Sequence, residues 1–184
     1  TQYLIENGQQ ERAVNYLSEF QKEGKLYRQD NIYSENAIIN HILNRKIEYC
    51  NNNGLSIKCM VCGELKGVSD YDIHIILENL LDNAIEAALK AVNKRISVDI
   101  YSDEQAMVIK ISNTTEENVL KNNPEMNTTK KDNSYHGYGI KNVSELVKKN
   151  NGTIEYIQLG VDIVQCRVLL MSVSYTHLTL PTIA

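Results

Sequence analysis
The chain has 184 residues, of which 42% are hydrophobic and 23% charged, and it carries a formal net charge of −4. That length suits one domain with an appendage and allows a sizeable core, and the composition is that of an ordinary globular protein. The acidic balance gives no electrostatic case for a nucleic-acid partner. No apolar run approaches the roughly 20 residues a membrane helix needs, and no signal peptide opens the chain; if the parent protein is anchored in a membrane, the anchor is expected outside this sequence.

Residues 1–50 predict two helical stretches. Apolar positions recur at three and four through Tyr3, Leu4, Ile5, Ala13, Val14, Tyr16, Leu17 and Phe20, and again through Ile38, Ile39, Ile42, Leu43 and Ile47. Gly24 and the polar run 28–31 mark the connector between them. Two such helices cannot bury both apolar stripes alone, so they predict a partner, either the rest of the chain or a second copy.

From residue 55 the pattern becomes mixed. A strand over 55–61 precedes a helix over 70–90, then strands over 96–101 and 106–112, the latter alternating through Met107, Ile109 and Ile111. Residues 113–135 are polar and aperiodic, a length that predicts either disorder or a functional lid. A helix over 140–150, closed by Asn151-Gly152 as a left-handed cap, leads to strands over 153–158 and 163–170 that form a hairpin. The order predicts an α+β sandwich, a mixed sheet with helices on one face. Residues 173–184 continue no pattern and resemble a non-native tail of the kind a cloning adapter leaves.

The four cysteines, Cys50, Cys59, Cys62 and Cys166, lack the spacing of a disulfide framework, which points to a reducing cytoplasm. Cys59 and Cys62 match C-x-x-C, but on a strand they face opposite sides, and no second pair completes a zinc set. They read as two small buried residues.

The chemistry concentrates in two segments. On the 70–90 helix, Ile73, Ile76, Leu77, Leu80, Ala84 and Ala87 would face the sheet, while Asn79, Asn83, Glu86 and Lys90 form a second stripe. Asparagine is a poor interior helix former, so two aligned beside a core face ask for a reason. An amide oxygen is a hard ligand suited to magnesium; the bland alternative is a solvated polar stripe. About fifty residues later, Gly137 and Gly139 open the next helix, where glycines let backbone approach a ligand and the helix start offers N–H groups to a phosphate. Lys130, Lys131 and His136 precede them and are placed to reach phosphate oxygens. The spacing of the usual phosphate loop, Gly-x4-Gly-Lys-Ser/Thr, occurs nowhere.

The segment Ile76-Leu77-Glu78-Asn79-Leu80-Leu81-Asp82-Asn83-Ala84-Ile85-Glu86-Ala87 is similar to the N box of the GHKL superfamily, and His136-Gly137-Tyr138-Gly139-Ile140-Lys141-Asn142-Val143 to its second glycine box. Residues 55–172 thus resemble the ATP-binding domain of that superfamily, the Bergerat-type α/β sandwich of gyrase, Hsp90, histidine kinases and MutL. The likeness is closest to the peptide-receptor sensor kinases of Gram-positive quorum sensing, in which residues 36–54 resemble the second dimerisation helix and its linker. Residues 1–54 are then expected to be a partial two-helix dimerisation segment. The resemblance implies ATP and Mg2+ as cofactors, Asn83 on the metal with Asn79 supporting it, Gly137 and Gly139 shaping the lid, a homodimer, a cognate response regulator, and a cytoplasmic domain of a membrane-anchored bacterial receptor.

Three departures from the family pattern stand out. The Asp-x-Gly-x-Gly box that binds adenine is replaced by Ile111-Ser112-Asn113-Thr114-Thr115, where Asn113 can accept the adenine hydrogen bond only as a neutral amide, implying weak nucleotide affinity. Glu86 stands where many histidine kinases have a cation, leaving that task to Lys130 and Lys131. The phosphoacceptor histidine is expected before Thr1, since His41 and His74 lack its context. Asn79 occupies the position of the water-activating Glu of the hydrolysing members, and an amide takes no proton at neutral pH. This favours phosphoryl transfer to a nucleophile on another segment over hydrolysis. Two alternatives are a degenerate nucleotide module acting through protein contacts, and a serine kinase of the anti-sigma type, which lacks the dimerisation-like helices.

Overall fold
The computed structural model describes residues 34–63, 67–116 and 139–172. The first helical stretch, Lys130, Lys131, His136, Gly137, most of the polar loop and the tail lie outside them. The described elements are α1 (Ala37–Asn52), β1 (Ser56–Cys62), α2 (Asp70–Lys90), β2 (Arg95–Ser102), β3 (Ala106–Thr114), α3 (Gly139–Lys149), β4 (Thr153–Gln158) and β5 (Ile163–Met171).

The strands form one mixed sheet in the order β1-β2-β3-β5-β4. β1 and β2 are parallel and joined through α2, while the other three pairings are antiparallel. Alternation decides the faces: Ile96, Val98 and Ile100 of β2, Met107, Ile109 and Ile111 of β3, and Cys166, Val168 and Leu170 of β5 all enter one buried cluster with the helices. Register aligns them, with Val98 opposite Ile111 and Ile109 opposite Val168. The other face carries a smaller cluster of Tyr101, Ala106, Val108 and Leu169. This is the predicted α+β sandwich. Cys59 packs against the first cluster and Cys62 against the second, so the two do face opposite sides.

Helix ends follow local chemistry. Asn36 caps α1 by accepting from the Ile39 N–H at 2.9 Å, and Ser69 caps α2 by accepting from the Asp72 N–H at 3.1 Å. Asp70 and Asp72 in the first turn of α2 and Lys90 in its last complement the helix dipole. The packing does not break at residue 54. Ile39, Ile42, Leu43 and Cys50 of α1 are buried in the same cluster as Ile73, Ile76, Leu77 and Leu81 of α2. On α2, Ala87 is only half-buried, whereas Leu81, Ile85 and Ala88 are buried, so the apolar surface wraps further round the helix than one stripe.

Two boundaries differ from the sequence expectation. β3 runs on through Asn113 and Thr114, which sequence placed in the loop; Asn113 pairs with Ile96 and Val164, and the Thr114 hydroxyl donates to the Asn93 carbonyl and accepts from the Arg95 N–H at 3.1 Å. Flanking strands and a buried hydroxyl thus carry the strand across Asn113, a residue type depleted in strands. At the end of α3, Asn151 alone is left-handed, with φ 48°. Gly152 serves close approach instead: a Cβ there would lie 2.0 Å from the Leu169 carbonyl oxygen.

Candidate functional site
α2 lies between α1 and α3 and presents a different stripe to each. Asn79 and Asn83, one turn apart, are both half-buried. The Asn79 amide nitrogen donates to the Ile75 carbonyl at 2.7 Å, which fixes the side chain and directs its oxygen away. That oxygen faces the first residue of α3: a Cβ on Gly139 would lie 2.6 Å from Asn79 Oδ1. The missing side chain of Gly139 is therefore what lets the start of α3 approach the asparagine stripe.

The far end of α3 is pinned at the start of α2. Lys149 Nζ donates to both oxygens of Asp72 at 3.0 and 2.9 Å, and the Asn150 amide donates to Asp72 at 2.9 Å. Burial alone would raise the Asp72 pKa, but these hydrogen bonds and the Lys149 charge outweigh it and hold the carboxyl below its ordinary value. α3 thus runs back along α2, and its N-terminal end, where a helix offers N–H groups and positive dipole, lies at Asn79.

Asn83 makes no hydrogen bond to a described residue. A half-buried amide oxygen one turn along from Asn79 suits a hard divalent cation that shares its shell with phosphate and water. Glu86 pairs with Lys90 at 3.2 Å, one turn further on. Asn113 lies on the helix-covered face of the sheet, next after Ile109 and Ile111. It is 7% exposed, and its amide nitrogen donates to the Thr114 carbonyl at 3.0 Å, leaving the oxygen as the acceptor.

Of the residues singled out in the sequence, the structure brings Asn79 and Gly139 together, with Asn83 one turn along; it puts Asn113 on the same side of the sheet. His41 and His74 are exposed. Glu78, adjacent to Asn79, is turned to α1, where it pairs with Arg45 and, at 2.8 Å, with Lys46. Burial opposes but does not overcome those two cations, and the Glu78 carboxyl stays below its ordinary pKa. Sequence reasoning missed Lys46, Asp82, Asp72, Lys149 and Asn150. The one available signal was a lysine inside an apolar stripe.

A family model described as GHKL domain matches residues 68–169. No curated protein matches the chain. Among solved structures, the catalytic domain of histidine kinase ThkA, in a nucleotide-free form, superposes with a TM-score of 0.59 at 14% identity, covering 76% of this chain and 93% of that one. The Acinetobacter baumannii histidine kinase AdeS gives 0.53 at 15% identity, covering 94% of this chain and 79% of that one. Identities this low speak to fold only, and the shared fold is, in this chain, a five-stranded mixed sheet with three helices among the described residues. With its asparagine helix set against a glycine-initiated helix, the chain belongs to the GHKL domain family and has the fold of histidine kinase catalytic domains.

Proposed function
We propose that this chain is the catalytic part of a two-component sensor histidine kinase, which binds Mg-ATP for phosphoryl transfer to a histidine on a segment outside residues 1–184. The observation that carries the reading is the seating of Gly139 against Asn79, with Asn83 one turn along α2. The start of α3, together with Gly137, Lys130, Lys131 and His136, takes the phosphates. Asn83 holds Mg2+, which when bound neutralises phosphate charge. Asn79, pinned by Ile75, supports it and, being an amide, does not activate water. Asn113 accepts from the adenine amino group, and without a carboxylate there the affinity is modest.

We further assign residues 1–54 to a partial dimerisation segment, with α1 docked on the catalytic core, residues 55–172 to nucleotide binding, and 173–184 to a non-native tail. The subgroup reading is the peptide-receptor kinases of Gram-positive quorum sensing, with a homodimer, a cognate response regulator and a membrane-anchored sensor outside this sequence. Among the described residues no helix is long and apolar enough to cross a membrane.

Titration of a fluorescent ATP analogue with and without Mg2+ tests the reading, on the wild type, Asn83→Asp and Gly139→Ala. Saturable binding that needs Mg2+ and weakens in Gly139→Ala is expected. No binding at millimolar nucleotide would replace it with a non-catalytic interaction module.

A further inference from the structure
α1 carries a charge where its pattern calls for a hydrocarbon. Ile39, Ile42, Leu43 and Cys50 form its buried stripe, and Lys46 falls on that stripe, 7% exposed. A buried ammonium requires partners, and Lys46 Nζ has two: Glu78 Oε2 at 2.8 Å and Asp82 Oδ1 at 2.6 Å, with Arg45 also on Glu78. Those acids are one turn apart on α2, and each immediately precedes an asparagine of the candidate site, Glu78 before Asn79 and Asp82 before Asn83.

We propose that Lys46 is a positioning residue for the asparagine pair, clamping α2 through the two acids so that Asn79 and Asn83 face the start of α3. The proposal rests on the function proposed above. Neighbouring helix positions are about 100° apart, so the acids point to α1 while the asparagines look toward α3. Two polar contacts one turn apart fix both the rotation and the axial position of α2, which an apolar contact between sliding helices does not. The tolerance is small. With side-chain tips about 5–6 Å from the helix axis, a rotation of about 20° carries an amide oxygen about 2 Å, whereas ligand distances at a metal hold within about 0.2 Å.

Stability is a poor discriminator, because replacing a buried ion pair by apolar residues of similar volume is often neutral or better, while leaving one partner alone is costly. The informative variant is therefore Lys46→Met with Glu78→Leu, which removes the clamp and keeps the packing; Lys46→Met alone and Lys46→Arg accompany it. Three readouts are taken on the full 184-residue chain: the thermal midpoint, the affinity for a fluorescent ATP analogue with and without Mg2+, and the side-chain amide 1H–15N resonances of Asn79, Asn83 and Asn113.

The double variant is expected to fold with a midpoint near that of the wild type and to bind the Mg2+-nucleotide about tenfold more weakly, the scale of removing an orienting partner. The Asn79 and Asn83 amides shift while Asn113 does not, and Lys46→Arg recovers much of the binding. Binding within twofold of wild type, with both amides unmoved, overturns the proposal. A wild type that shows no Mg2+-dependent binding sinks the proposed function instead, and the amide resonances still decide whether Lys46 orients the pair: movement supports the clamp and its absence overturns it.

Discussion

Removing the Asp72 carboxylate should loosen α3 from α2 without touching the asparagine stripe. Asp72 is 1% exposed and receives Lys149 on both oxygens and the Asn150 amide. The Asn150 bond, charge-assisted and buried, is worth about 1.5–3 kcal/mol. The Lys149 pair is discounted to about 0.5 kcal/mol because the lysine side chain is 63% exposed. The position in the first turn of α2 adds about 0.3–1 kcal/mol through the dipole. Against these stands the desolvation of the carboxylate, which the variant relieves, so Asp72→Ala should cost about 2 kcal/mol net, a drop of roughly 4–8 °C in Tm for a chain of this size. Because the folded-state pKa lies below its ordinary value, the contribution is fully present above the unfolded pKa and fades as pH falls through the depressed folded one. Urea unfolding of wild type and variant at pH 7 and at steps below pH 4 should therefore show a gap that closes on acidification. Equal stability at pH 7, or a gap that persists at the acid end, would refute the assignment of α3 docking to this carboxylate.

Gly139→Ala places a methyl group 2.6 Å from Asn79 Oδ1, so the amide must yield by several tenths of an ångström against its bond to Ile75. The helix-propensity gain of at most about 1 kcal/mol offsets the strained hydrogen bond of about 0.5–1.5 kcal/mol. Near-neutral stability by urea unfolding, with clearly weaker Mg2+-nucleotide binding, is expected; unchanged affinity would count against the site. Gly152→Ala has no such escape, since its Cβ would meet the backbone oxygens of Leu169 at 2.0 Å and Val147 at 3.0 Å. It should cost about 3 kcal/mol, and a urea midpoint equal to wild type would contradict the close approach. Burial pushes the thiols of Cys50 up to about 11 and of Cys59 and Cys166 up to about 12. At pH 8 they should react with a chromogenic disulfide only after denaturation, and rapid native labelling of these three would show that α1, β1 and β5 are not packed as described.

The helices and strands after residue 55 were legible because each has one dominant period. The apolar positions of 70–90 repeat at helical spacing and the segment is α2 to the residue, with Ser69 and the two first-turn aspartates supplying a start signal that periodicity alone did not need. Asn113 and Thr114 were not legible as strand, since their strand state comes from Ile96, Val164, Asn93 and Arg95, partners that no local window contains. The same reason hid the strand order. That β5 lies between β3 and β4 follows from nonlocal pairing, which the hairpin signal at 159–162 constrains only on one side.

The candidate site divides in the same way. Asn79, Asn83 and Gly139 announce themselves because each is a residue type unsuited to its position on helix-propensity grounds alone, and Asn79 and Gly139 meet where α3 approaches α2. The residues that hold the approach in place are typical of nothing locally. Asp72 and its partners are 77 and 78 positions apart, and Lys46 meets its acids across 32 and 36. Yet these contacts sit at complementary places: Asp72 ties down the far end of α3, and Lys46 grips α2 from the opposite side, beside each asparagine. In this chain each of the two helices that border the asparagine helix is therefore tied to it by a polar contact on a hydrophobic frame. If both act on the same seam between Asn79 and Gly139, varying Asp72 and Lys46 together should change Mg2+-nucleotide binding by an amount that departs from the sum of the two single losses, whereas an additive loss would show that the two contacts act independently.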